Sequence, residues 1–462
     1  MLDKLRSVKK RLGPLWWFSL CMFCVSRVGD LISIYIGVVL VPDVISRERL
    51  GAVLPLTKLA VLVGVPLSIV VAVALKYIGV FSASKETGKI KTLLRDLGIL
   101  SAAFSAVTLA YMWFCRGFIQ QRLKFENVHI VWLVAGMGIV SCWMPMAYMA
   151  VRGLKKFYRL IISRVLRPAC RLVVLLIVLR HLQVTGYLLA SVISGLVVLV
   201  FLLRGVTPYL ARDIICKSYR SYLPDMTHYM VRVGAWTLLV ALQGVVGPWV
   251  IRQHLPPVDS AGYYLVAMFG NIPLWVAPAM IPFLFPLVSE RFERGEDTSR
   301  MHHQSLGMAL GMGLAITGVL FFAGGWLLQL RESWRVHAAY SPLVWQVSLT
   351  TALGVVMNCH ATHENACKRF TYLRYLVPLV LVEVVVLYGV INGWGLTKSW
   401  MPAAIWQAVD SVVRHNLEFI VEFMLAIRAV TVLFVAAELL IRRCSSTAAG
   451  PPSGSAAAEL AS

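Results

Sequence analysis

Long apolar runs alternate with short charged breaks along almost the whole chain. A run of roughly 20 apolar residues crosses a hydrocarbon core of about 30 Å as a helix. Such runs lie near 15–41, 53–80, 96–115, 128–151, 158–179, 182–203, 226–251, 261–289, 305–330, 341–359, 371–394 and 423–441. They predict an all-α integral membrane protein of about 12 transmembrane helices. One segment breaks the pattern. In 397–422, Ile405, Val409, Val412, Val413 and Ile420 share a helical face opposite Asp410, Arg414 and Glu418. That spacing predicts an amphipathic helix lying in the interface, and a thirteenth span if it crosses instead. Residues 444–462 are mostly Ala, Ser, Gly and Pro and are expected to be a disordered tail.

Composition agrees: 59% of the 462 residues are hydrophobic and 14% charged, against roughly 25% charged in soluble domains. The net charge of +22 would suggest nucleic acid in a soluble protein. Here it is explained by topology. With the N-terminus inside, the loops and ends on the cytoplasmic side carry 24 Lys and Arg and those outside carry 11, so both termini are expected in the cytoplasm of a cell (inner) membrane protein. The basic segment 1–14 with Lys4, Arg6, Lys9, Lys10 and Arg11 begins like a signal peptide. The following run is too long, however, and holds Arg27 and Asp30, so it reads as a retained first helix. Cys21 and Cys24 form C-x-x-C inside that run, where small buried hydrophobes are expected.

The two halves repeat at an offset near 211 residues. Val41-Pro42-Asp43 and Leu50-Gly51-Ala52 follow the first run; Pro256-Pro257-Val258 and Ala261-Gly262-Tyr263 follow the seventh. Lys155-Lys156-Phe157-Tyr158 precedes Pro168 as Lys368-Arg369-Phe370-Thr371 precedes Pro378. Six helices repeated in one orientation predict two six-helix lobes, 15–204 and 226–443, joined by a cytoplasmic linker 205–225 and related by a pseudo-two-fold axis along the membrane normal. Substrate sites in such proteins lie between the halves.

This layout, with Gly262-Tyr263 opening the eighth span and Pro286-Leu287-Val288-Ser289 ending it, resembles the polysaccharide and O-antigen flippases of the multidrug/oligosaccharidyl-lipid/polysaccharide exporter superfamily. The resemblance covers most of 10–395; the insertion before the last span departs from it. It implies a flippase moving a polyprenyl-diphosphate-linked oligosaccharide to the outer leaflet by alternating access, for surface polysaccharide biosynthesis. It is not an enzyme on this reading. Its expected partners are the lipid-linked sugar, membrane lipids, and glycosyltransferases and a polymerase of the same process, with no nucleic acid and no cofactor.

Nine basic residues remain within or beside the spans: Arg27, Lys58, Lys76, Arg164, Arg167, Arg171, Arg232, Arg374 and Arg428. Only Asp30, Glu383 and Glu438 oppose them there. An embedded charge costs at least ~2.5 kcal/mol and normally faces the bundle interior or a cavity. Lys76, Arg374, Arg428 and Glu438 sit close enough to span ends to snorkel. Arg27 lies roughly 18 Å into the first span, three residues from Asp30. Arg164, Arg167 and Arg171 form an i, i+3, i+7 stripe. Arg27, Lys58, Arg164, Arg167, Arg171 and Arg232 are therefore the candidate ligands of a diphosphate, which the planar guanidinium fork suits. Each could instead be an interhelical ion pair. In flippases of this kind, basic residues on the first and seventh spans line the cavity, which by the resemblance singles out Arg27 and Arg232. Asp30 either balances Arg27 or couples the cycle to an ion.

Two other clusters carry less. Cys359, His360, His363 and Cys367 match no common zinc spacing and read as a polar helix end, and His302-His303 as part of a solvated loop. No Walker A sequence is present. Two alternatives stay open. A multidrug antiporter of the same fold would be expected to line its cavity with carboxylates, against the basic excess here. An integral-membrane glycosyltransferase or polymerase would need a long outer loop, and 395–422 is the one candidate.

Overall fold

The computed structural model describes residues 25, 27–83, 86–123, 129–154, 156–210, 215–276, 284, 288–289, 291–292, 294–390 and 417–448. The segment 1–14, Cys21 and Cys24, residues 397–416 and the end of the chain from 449 lie outside them. Among the described residues there is no strand. The first lobe comprises α1 (27–44), α2 (Arg47–Ala83), α3 (Thr87–Leu123), α4 (His129–Gly153), α5 (157–182) and α6 (184–203). The second comprises α7 (Leu223–His254), α8 (Pro257–Gly270), α9 (Ser299–Gln329), α10 (Ser341–Ala366), α11 (Leu373–Val384) and α12 (Leu417–Ala448).

Among the described residues, eight helical stretches are long and apolar enough to cross a bilayer. One of them, Tyr158–Leu203, is the expected fifth and sixth spans end to end, divided at Gln183. Its φ of 47° and ψ of −121° leave helical geometry, and Arg49 Nη1 donates to its side-chain oxygen at 3.1 Å. Helices α2 and α3 run beyond the apolar stretches that identify them, because helix geometry continues into the polar ends. Helix α12 begins at Leu417, inside the segment expected to lie in the interface, and continues through Cys444 to Ala448, where disorder was expected.

The helices pack as a duplication requires. Helix α2 packs on α4 as α8 packs on α10; α3 on α4 as α9 on α10; α4 on α6 as α10 on α12. Small residues allow close approach, as is usual between membrane helices: a Cβ on Gly64 of α2 would lie 2.5 Å from the Ser141 carbonyl of α4. The outermost helices also correspond. Phe114 on α3 and Phe322 on α9 are 83% and 85% exposed, as suits side chains facing lipid.

The lobes meet where α2 packs on α7 and α8, and α1 on α8. At the rim expected outside, Asp43 in the last turn of α1 pairs with Arg331 and accepts from Ser333 Oγ at 2.7 Å, both after α9. Arg252 of α7 donates to the Glu48 carbonyl at 3.2 Å. At the opposite rim the segment entering α7 lies on α3, with the Lys217 amide 3.3 Å from the Gly88 carbonyl and Tyr219 donating to Asp96 at 3.0 Å. Burial and the Asp96 carboxylate push the Tyr219 phenol up to about 12, so it stays a donor at neutral pH.

Candidate functional site

Arg27 and Asp30 lie one turn apart on α1, with Arg27 Nη2 3.4 Å from Asp30 Oδ2. Arg27 also reaches across the seam: its Nη1 donates to the Trp275 carbonyl, in the short helix Ile272–Val276 that follows α8, at 2.6 Å. Beside them, Gly29 faces α5 so closely that a Cβ there would strike the Arg164 carbonyl, with Pro168 Cγ at 3.4 Å. Glycine at 29 is what lets α5 bring Arg164 into the field of Asp30.

The stripe on α5 continues inward. Arg167 shares its surroundings with Arg164, Arg171, Tyr148 of α4 and Tyr187 of α6. The Arg171 guanidinium lies 4.2 Å over the Tyr187 ring, while its Nε is buried without a hydrogen-bond partner. The structure adds Arg152, which the sequence assigned to a loop. It ends α4 and stands in the field of Arg164 and Tyr148. The signal that could have found it is its place in the last turn of a span.

Lys58 and Arg232 stand apart from this group. Lys58 of α2 faces α7, its Nζ 4.0 Å from where a Gly244 Cβ would lie. Arg232 of α7 stacks over Phe370, just before α11, at 5.1 Å. Five of the seven expected residues thus share one neighbourhood (Arg27, Asp30, Arg164, Arg167 and Arg171), while Lys58 of α2 faces α7 and Arg232 of α7 faces Phe370.

The second lobe holds a buried carboxylate. Gln243 Nε2 of α7 donates to Glu383 Oε2 of α11 at 2.6 Å; Glu383 is 1% exposed. Arg428, expected to snorkel from a span end, instead turns into the lobe. Its Nη1 lies 4.0 Å from where a Gly354 Cβ would sit, and its charge faces Glu383. The sequence offered no role for Glu383, whose partner is 140 residues away.

No protein-family model matches the chain, and no curated protein matches it. Solved structures do. An inward-facing multidrug resistance MATE family transporter of the MOP superfamily aligns over 93% of this chain and 99% of its own, at 13% identity and a TM-score of 0.59. A Vibrio cholerae MATE transporter, VcmN, aligns over 95% and 98% at 15% identity and a TM-score of 0.62. The chain has the fold of a MATE transporter. A third structure with the same fold is a MOP superfamily transporter from Pyrococcus furiosus (16% identity, 91% and 94% covered, TM-score 0.58), described as having a binding pocket of reverse polarity that suggests a different function.

Within this MATE fold the histidines set aside on spacing come together. His302, expected in a solvated loop, is 3% exposed at the start of α9. Its ring stacks on that of His363 of α10, centroids 3.9 Å apart, and its Nε2 lies 3.1 Å from His360 Nδ1. His360 in turn lies 3.3 Å from the Tyr375 hydroxyl and 3.7 Å from Glu438. Glu438, another residue expected to snorkel, accepts from Tyr375 at 3.1 Å and from Thr371. Side chains from α9, α10, α11 and α12, and Thr371 just before α11, thus meet at one rim. Just outside, Asp297 accepts from the amide and hydroxyl of Ser299 at 2.9 and 2.6 Å. These bonds hold its carboxyl below the usual carboxylate range.

Proposed function

We propose that the protein is a flippase that moves a polyprenyl-diphosphate-linked oligosaccharide from the inner to the outer leaflet of the cell membrane. The observation that carries this reading is the run of basic side chains beside the seam of the lobes: Arg27 and Arg164 face the one carboxylate there, Asp30, and Arg167 and Arg171 continue from Arg164 along α5. An organic cation would meet net repulsion there. A diphosphate loses hydration but gains charge-assisted hydrogen bonds from several guanidinium forks. Arg152, at the end of α4, Lys58 of α2 and Arg232 of α7 draw the anion in through their field.

Alternating access supplies the motion. The lobes rock about the α2–α7 and α2–α8 contacts, the diphosphate travels with the arginines, and the polyprenyl tail stays in lipid. The transporter of the same fold described as having a binding pocket of reverse polarity that suggests a different function supports a reading in which this architecture serves another kind of cargo. A second reading, a multidrug antiporter, is favoured by the buried Glu383–Gln243 pair, which could serve a cation, and by the MATE fold itself.

Thermal unfolding of the purified protein with each ligand separates the two, because a ligand that binds only the folded state raises apparent stability. Polyprenyl diphosphate should raise the midpoint and ethidium should not. Stabilisation by ethidium alone, with drug resistance in cells producing the protein, selects the antiporter.

A further inference from the structure

We propose a second ligand site, at the rim expected outside, that takes a neutral, hydroxyl-rich molecule of the chemistry of a sugar. A cavity of about 420 Å³ opens there, within the roughly 300–1,000 Å³ of small-molecule sites. Both lobes wall it. The first supplies the end of α1, the start of α2 and the break between α5 and α6; the second supplies the link from α9 to α10. No residue of the basic group lines it.

The lining mixes two kinds of surface. Asp43, Gln183, Ser333 and His337 are polar; Pro42, Val44 and Leu50 are apolar. Asp43, the one acid among the lining residues, is paired with Arg331. Among the described residues no Lys or Arg lines the cavity. Such a wall holds little for a strongly charged ligand. It suits a sugar, whose hydroxyls both donate and accept and whose C–H face packs on apolar carbon.

Gln183 carries the second observation. Its φ of 47° and ψ of −121° lie where side-chain-bearing residues are seldom found, and such a conformation persists only when the surroundings hold it. Arg49 supplies the hold, its Nη1 donating to the Gln183 side-chain oxygen at 3.1 Å. That bond fixes the orientation of the carboxamide. Among the described residues its NH₂ donates to nothing, so two donors stay available at the cavity wall. Backbone strain of this kind gathers at ligand clamps. From the second lobe, Ser333 donates to Asp43 at 2.7 Å and keeps its own lone pairs as acceptors. An occupant therefore touches both lobes, and its binding favours the state in which this rim is closed.

The experiment uses the full chain, purified in a detergent without a sugar head group, because such a head group would compete. The labelled protein is applied to a glycan array, and the glycans that bind are titrated as free oligosaccharides by calorimetry. Inorganic phosphate and choline serve as charged probes. The expected result is saturable binding of at least one glycan and none of either ion at this site. Gln183→Gly removes the two donors and relieves the strain, since glycine accepts this φ. It should raise the unfolding midpoint while weakening glycan binding about tenfold, a combination that a merely structural glutamine would not give. Ser333→Ala should weaken binding about threefold, and Arg180→Ala, nearby but outside the lining, should leave it unchanged. No glycan bound by the parent protein overturns the proposal. Binding that survives intact in both Gln183→Gly and Ser333→Ala places the sugar elsewhere and overturns it equally. So does phosphate or choline binding that Gln183→Gly abolishes, with no glycan bound. The ligand class rests on the lining and not on the flippase reading: a missing thermal shift with polyprenyl diphosphate would fail that reading and leave this site standing.

Discussion

Ser260 of α8 donates a hydrogen bond to the carbonyl of Gly51 of α2, 3.2 Å away across the seam of the lobes. Leu50-Gly51-Ala52 and Ala261-Gly262-Tyr263 are the matched segments of the two halves. Segments related by a two-fold axis can touch each other only near that axis, so this contact, between Gly51 and the residue that precedes its matched segment, marks where it passes.

The contact leaves no room for a side chain at 51. A Cβ would lie 2.5 Å from Ser260 Oγ and 2.9 Å from the Ser260 carbonyl carbon. Gly51→Ala should therefore destabilise the protein by about 1–3 kcal/mol, as overpacking usually does. Ser260→Gly in the same chain should recover part of that loss, leaving a coupling energy of at least ~0.5 kcal/mol in a double-mutant cycle. Unfolding midpoints of the four proteins in one detergent measure it. Additive effects would mean that the helices separate here without cost.

The rim expected outside gives a second test. Asp43 and Ser333, one from each lobe, are 2.7 Å apart at Oδ1 and Oγ. Cysteines at both positions should form a disulfide under mild oxidation. If alternating access parts this rim, the bridged protein stops exporting and reductant restores it. Export that continues with the bridge intact would remove this rim from the transport cycle.

Topology follows from the distribution of Lys and Arg. A reporter fused after Lys217 should report cytoplasm and one after Asp259 the outside; a reporter after Ser462 should report cytoplasm. Opposite signals at the first two positions invert the orientation. An external signal at Ser462 alone would mean that 397–416 cross the membrane.

The spans were legible because a bilayer imposes a length on every apolar run, and the break near Arg180 and His181 anticipated the non-helical Gln183 only three residues away. The axis was legible too, in the repeated small residues around Gly51 and Gly262. What stayed hidden depends on contacts far apart in sequence. Glu383 gains meaning from Gln243, 140 residues earlier; His302 from His360, 58 residues later. Spacing rules within one segment cannot see either pair. Arg152 was missed for another reason: a charge in the last helical turn is indistinguishable, by composition, from a charge in the following loop.

Arg171 gives the sharpest test of the basic group. Its guanidinium lies 4.2 Å over Tyr187, an arrangement worth about 0.5–2 kcal/mol, yet its buried Nε donates to nothing. A purely structural arginine would be expected to use that donor, whereas a ligand-binding one holds it in reserve for an arriving oxygen. Arg171→Ala should abolish the thermal shift given by polyprenyl diphosphate while the protein still reaches the membrane in near-normal amount. Arg171→Lys should keep a partial shift, because the charge remains but the paired donors are lost. Arg27→Ala should behave like Arg171→Ala and also lose the tie to the Trp275 carbonyl across the seam. Arg232→Ala should weaken the response less, since that residue stacks on Phe370 away from the group. If Arg171→Ala retains the full shift while Arg232→Ala loses it, the anion is held at Arg232, and the stripe on α5 serves only to pack the first lobe.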